Sequence, residues 1–190
     1  MPRAALSASA VVAAGAQLLD EVGPADFSLA VLAERLGVRP PSLYKHTDGL
    51  AGLRRSIMLH SKRDLAGVLV QAAVGRSGDA AVRAVANAYR QWALAHPGQY
   101  PATQLPPVAG DADDASASAA IFNVTQGVLS GYELTGDDVA HAIRFLRSSF
   151  HGFLALETAG GFQMPVDIDT SYERLVDSII AALNSWRPAA

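Results

Sequence analysis

The side chains that could do proton or metal chemistry in this chain are few and scattered. There are five histidines and no cysteine. Thiolate catalysis, a disulfide scaffold and Cys-ligated metal sites are therefore excluded. Asp137 and His141 stand four apart on a helical pattern, which puts two ligands on one face. No third ligand follows, and two do not hold an ion. Asp113-Asp114 reads as loop, and Asp137-Asp138 opens a helix, where carboxylates suit the helix dipole without a chemical role. His96 precedes Pro97 and ends a helix, and His60 stands on a basic side with Lys62 and Arg63. His151, between Phe150 and Phe153, reads first as a hydrogen-bonded core histidine and second as a ligand contact. No nucleophile elbow, His-Glu-x-x-His zinc site or Gly-rich phosphate loop appears. The expectation is a protein that is not an enzyme, with no catalytic residue, metal or cofactor.

Polar side chains do cluster between Arg39 and Thr47. Arg39, Pro41, Ser42, Tyr44, Lys45 and His46 share one short stretch. Short polar groups at the start of a helix can reach base edges in a major groove. Tyr44, Lys45 and His46 have the length and polarity for phosphates. Ser28, as the N-cap of the helix before, leaves backbone amides facing outward for a further phosphate.

These residues need a scaffold, and the surrounding pattern supplies one. Two short helices cross steeply only if the crossing residue is small, and Ala33 fits. Four residues later the turn needs a left-handed residue, and Gly37 fits. Leu32, Leu36 and Leu43 point inward, and Val38 plugs the turn. The spacing from Leu29 to Asp48 is that of a helix-turn-helix, and an apolar helix over residues 5–22 completes a three-helix core. The competing reading is a tight helix pair inside a larger helical protein, with Arg39 and Lys45 merely solvated.

The stretch Ala4 to Leu19 is uncharged and rich in Ala, Ser and Val, and so imitates a secretory signal. Its role as packing partner of the motif favours a retained helix. Charge is divided along the chain. Residues 1–65 hold eight basic and six acidic residues, and the remainder holds seven and twelve. A binder relying on bulk charge would be basic throughout, so any nucleic-acid contact here belongs to a small N-terminal face. No apolar run has the ~20 residues of a membrane-spanning helix.

Helical periodicity continues to the end. Ser77-Gly78-Asp79 starts a helix carrying Val82, Val85, Tyr89 and Trp92. Residues 97–114, broken by prolines, read as a loop with at most one helical turn. Residues 115–132 return to helix. Thr135-x-x-Asp138 and Thr170-x-x-Glu173 match capping boxes for the last two helices. The fold class is all-α: an N-terminal three-helix helix-turn-helix domain followed by an α-helical ligand-binding and dimerisation domain.

The string Phe27-Ser-Leu-Ala-Val-Leu-Ala-Glu-Arg-Leu-Gly-Val-Arg-Pro-Pro-Ser-Leu-Tyr-Lys-His46, followed by Gly-Leu-Ala-Gly-Leu53, resembles the DNA-binding domain of TetR-family transcriptional regulators. Phe150-His-Gly-Phe and the residues up to Phe162 resemble the Trp-His-Gly motif in the C-terminal domain of one TetR subgroup. The resemblance implies a homodimeric, ligand-responsive, cytoplasmic DNA-binding regulator, usually a repressor, with Pro41–His46 as recognition helix. The implied division is residues 1–47 for DNA (motif about 29–48) and 48–190 for ligand and dimer. DNA contacts are expected from Ser28, Arg39, Pro41, Ser42, Tyr44, Lys45, His46 and Thr47.

An unknown small apolar or amphipathic effector is expected to contact Tyr89, Trp92, Phe122, Gln126, Phe145, Phe150 and His151. The last two helices are expected to pair in the dimer, through Leu175, Ile179, Ile180, Leu183, Trp186 and the outer side of residues 139–157. Two positions depart from the family pattern. Thr47 replaces an aromatic, and Leu50 replaces a phosphate-binding Lys; Arg54 and Arg55 could compensate. The alternative is a helical dimeric ligand-binding or scaffold protein without operator binding.

Overall fold

In the computed structural model, residues 6–186 are described; Arg3 and the start of the signal-like stretch lie outside them. The helices are α1 (Ala8–Asp26), α2 (Leu29–Leu36), a 3-10 helix (Pro40–Lys45), α3 (Gly49–Ala73), α4 (Gly78–Ala95), α5 (Tyr100–Thr103), α6 (Ala112–Leu129), α7 (Asp137–Thr158) and α8 (Ile168–Ser185). A 3-10 turn, Ser130–Tyr132, follows α6, and no strand occurs among the described residues. The expected all-α class is the observed one.

The chain forms two compact units. The first joins Met1–Asp64 to His96–Ser118, and the second joins Leu65–Ala95 to Ala119–Ala190. The core of the first unit is apolar and local in sequence. Val11, Leu18 and Leu19 of α1 pack with Leu32 and Ala33 of α2, Leu43 of the 3-10 helix, and Leu53 and Ile57 of α3. Burial of such side chains contributes roughly 1.5–3 kcal/mol each. Ser28 caps α2 by accepting from the Val31 amide at 3.3 Å. Gly37 ends it in the left-handed region (φ 63°, ψ 34°), where a Cβ would be strained. The helical run of α1 breaks at Gly23 (φ 74°, ψ 171°), where the sequence ends the first helix, and a short turn from Pro24 carries the element on to Asp26.

The second unit packs α4, α7 and α8. Val82, Val85, Ala86, Tyr89, Trp92 and Ala93 form the buried face of α4. Ala142, Leu146, Phe150 and Leu154 do so on α7, and Tyr172, Val176, Ile179, Ile180 and Leu183 on α8. The Tyr89, Phe150 and Tyr172 rings follow one another at 6.0 and 6.3 Å. Tyr172 donates its hydroxyl to the Ala86 carbonyl at 2.7 Å, and burial pushes its phenol well above the ordinary range. Arg90 of α4 donates to Glu157 of α7 at 2.9 and 2.5 Å and to Asp169 of α8 at 2.7 Å. Its guanidinium lies 4.9 Å from the Tyr172 ring centre.

Several sequence expectations change. Residues 112–114 belong to the first turn of α6, so Asp113-Asp114 is helical and not loop. Thr135 is no side-chain cap, since α7 starts after Gly136, which has none. α8 begins before Thr170, capped by Asp167, whose carboxylate accepts from the Thr170 amide at 2.9 Å. A shorter carboxylate arm one turn earlier did the capping that the Thr-Glu pair suggested. Ile179, Ile180 and Leu183 are consumed inside the chain's own core and are not free for a partner. The outward face of α8 is polar or small instead.

Candidate nucleic-acid interface

The turn after α2 runs through Arg39 into Pro40-Pro41, and the resulting 3-10 helix is fixed underneath by Leu43, fully buried in the first unit. Its opposite side carries the polar cluster. Tyr44 is 62% exposed although its ring is large and apolar. Arg39, Pro41 and Lys45 are exposed, and Ser42, His46 and Thr47 are half-buried. Among the described residues, no carboxylate pairs with Arg39 or Lys45. The prolines have no amide hydrogen, and the Ser42 amide is spent on the Arg39 carbonyl at 2.8 Å. The leading end of this element therefore presents side chains rather than backbone donors to whatever it meets.

The departures from the expected pattern have structural roles. Thr47 donates its hydroxyl to the Gly49 carbonyl at 3.0 Å, securing the entry into α3. Leu50 packs against the first unit's core. Arg54 donates to the Pro24 carbonyl at 3.0 Å and lies over the Phe27 ring. Arg55 grips Asp111 with two bonds of 2.6 Å and reaches Asp113 at 3.4 Å. That pairing raises the Arg55 pKa further and holds the Asp111 carboxyl down to about 2. Arg54 and Arg55 are thus exposed and at the same time engaged within the chain.

Lys62 was expected on a basic surface with His60 and is instead buried. It donates to Asp114 at 2.6 Å, to the Ser118 hydroxyl at 3.0 Å and to the Leu105 carbonyl at 3.2 Å. Burial by itself would raise the Asp114 pKa. The bonds from Lys62, the Val108 amide and Ser118 outweigh it and leave the carboxyl below its ordinary value. Sequence reasoning missed this pair because its partners are 52 residues apart. The only available signal was an acidic run that opens a helix.

The expected effector residues do not converge on one point. Tyr89, Trp92 and Phe150 are buried together in the second unit's core. Phe145 packs on Trp186 at 5.6 Å. Phe122, 48% exposed, and Gln126 lie on the outward side of α6. His151 is exposed, which corrects its reading as a core histidine: the wide-open side of α7 passes through it. An open cleft of about 660 Å3 is lined by Asp138, His141 and Trp186. No group of three or more potential metal ligands occurs among the described residues.

Residues 82–179 match the family model described as tetracyclin repressor-like, C-terminal domain. An uncharacterized HTH-type transcriptional regulator of Mycobacterium tuberculosis is 36% identical over 168 residues, covering 88% of this chain and 76% of its own length. A second uncharacterized HTH-type transcriptional regulator, YobS of Bacillus subtilis, is 30% identical over 182 residues, covering 96% and 95%. The chain belongs to the TetR family. TetR-family proteins are ligand-responsive, DNA-binding transcriptional regulators that form dimers. The TetR fold is matched by a glutamine-to-alanine variant of TetR from Acinetobacter baumannii AYE in complex with minocycline, at a TM-score of 0.71 and 21% identity over 97% of this chain and 99% of that one. No helix among the described residues is long and apolar enough to cross a membrane.

Proposed function

We propose that this TetR-family regulator is a homodimeric repressor that reads double-stranded operator DNA through Pro41 and Ser42 and holds its backbone through Ser28, Arg39, Tyr44, Lys45, His46 and Thr47. The observation that carries this reading is Tyr44 beside Lys45: a large aromatic ring kept in solvent, next to an unpaired cation, on an element whose other side is locked into the core. An aromatic left mostly exposed by its own chain is suited to a partner's surface. Two such elements related by a dimer axis would enter successive major grooves about 34–36 Å apart.

We place the dimer contact on the outward faces of α7 and α8. Ser148, Gly152 and Ala155 on α7, and Ser178, Ala181 and Ser185 on α8, are exposed small residues at helical spacing. Small side chains let helices approach closely, as in a four-helix bundle. The division of labour follows: residues 1–47 serve DNA, and 48–190 serve effector and dimer. A small apolar or amphipathic effector would be held by α4, α6 and α7, with Tyr89, Trp92 and Phe150 as its apolar wall. Phe122, Gln126, Phe145 and His151 would supply further contacts. The minocycline complex of the Acinetobacter TetR shows this fold bound to a small molecule in that relative. The effector shifts the dimer between two shapes only by its differential affinity for them.

The test selects a preferred duplex from a random pool with the wild-type protein and then titrates it in gel shifts. Tyr44→Ala with Lys45→Ala is expected to abolish the shift while size-exclusion shows an intact dimer. Unchanged affinity in that variant overturns the assignment of the reading element.

A further inference from the structure

The carboxylate of Asp20 is the convergence point of a hydrogen-bond clasp in the first unit. Asp20 lies on α1 between the core residue Leu19 and the exposed Glu21. Its Oδ1 accepts from the Gly98 amide at 2.9 Å and the Gln99 amide at 3.0 Å. Its Oδ2 accepts from Gln99 Nε2 at 2.6 Å and faces His96 Nδ1 at 2.9 Å. At its other end the Gln99 side chain accepts from the Ser61 hydroxyl of α3 at 2.8 Å. Gln99 is 5% exposed and so bridges α1 and α3 from inside.

Backbone geometry makes the clasp specific. A Cβ on Gly98 would stand 2.1 Å from the Leu19 carbonyl oxygen and 2.8 Å from the Asp20 nitrogen. Both are main-chain atoms of a helix and cannot swing aside, so only glycine lets the corner lie against α1. α1 and α3, whose core residues pack with Leu43 of the reading element, are thus tied by residues some 40 to 80 positions further along. This clasp immediately follows Ala95, the last residue of α4, whose buried face carries Tyr89 and Trp92.

We propose that Asp20 is a positioning residue for operator recognition: through the corner at Gly98 and Gln99 it sets α1, and with it the reading element, at the angle that base readout requires. The proposal rests on the DNA-binding reading above. The carboxylate touches no DNA in this scheme and acts only through α1.

Specific and non-specific binding respond differently to such a role. Non-specific affinity follows the number of neutralised phosphates and is insensitive to a small error of angle, whereas base readout is not. Asp20→Asn keeps the shape of the side chain but turns a donor toward donors. Asp26→Asn, on an exposed residue of the same helix, removes the same charge and leaves the clasp intact. Each variant is titrated by fluorescence anisotropy against the duplex selected by the wild-type protein and against a random duplex of equal length.

For Asp20→Asn the preference for the selected duplex is expected to fall about tenfold, the scale of one misread base pair or more. Random-duplex affinity and its salt slope should stay near wild type, as should Asp26→Asn throughout. Gly98→Ala should reproduce the loss of preference. Equal loss on both duplexes, equal effects of Asp20→Asn and Asp26→Asn, or preference within twofold of wild type would overturn the proposal. If the wild-type protein selects no duplex at all, the underlying reading fails instead.

Discussion

At the scale of single residues, the most consequential departure from the sequence pattern is Lys62. A lysine read as surface charge is 1% exposed and bonded to a carboxylate that is fully buried. Removing one partner of such a pair leaves an uncompensated charge in low dielectric. Lys62→Ala is expected to cost about 3–5 kcal/mol in urea unfolding. Lys62→Met with Asp114→Asn should recover most of it, because no charge is then left stranded. A single variant that melts like wild type would show the pair to be solvated in practice. The same contrast explains what was legible at this scale. Ala33 and Gly37 were readable because their neighbours are a few residues away and the turn dictates both. Lys62, Asp20 and Arg55 find partners more than forty residues away, and no local period encodes such a meeting.

At the scale of elements, the first turn of α6 is an acidic edge set against α3. Asp111 meets Arg55, Asp113 meets Arg55 and Arg63, and Asp114 meets Lys62. The folded-state pKa values of Asp111 and Asp114 lie below their ordinary value, Asp111 at about 2. Groups of that kind stabilise the fold at pH above the unfolded carboxylate value of roughly 3.9 and lose that contribution as pH falls through the folded one. Melting temperature should therefore hold steady from neutral pH down to about 4 and then drop toward pH 2. Asp111→Asn should flatten part of that drop, and scanning calorimetry across this range would show it. Helix starts were only partly legible from sequence. Ser28 caps α2 as its position suggests, but α8 is capped by Asp167 and α6 begins earlier than the loop reading allowed. Several polar residues competed for each start, and the winner was set by where the helix could bury its apolar face.

At the scale of the whole molecule, the charge is net negative, at -3. Attraction to DNA must then come from a local patch working against the rest. Affinity should fall linearly with salt on logarithmic axes, with a slope near −0.9 per phosphate neutralised. Arg39→Gln with Lys45→Gln is expected to flatten that slope in anisotropy titrations. Arg55→Gln should hardly change it, since that guanidinium already holds Asp111. A large effect of Arg55 on the slope would mean that its carboxylate partners release it when DNA arrives.

The paired pyrrolidine rings at the head of the 3-10 helix bear on the thermodynamics of encounter. Their fixed torsions confine the segment before any duplex is present, so little disorder remains to be surrendered on docking. Calorimetry of the complex should then show a heat-capacity change that tracks the apolar area covered, without the surplus that accompanies a segment folding onto its target.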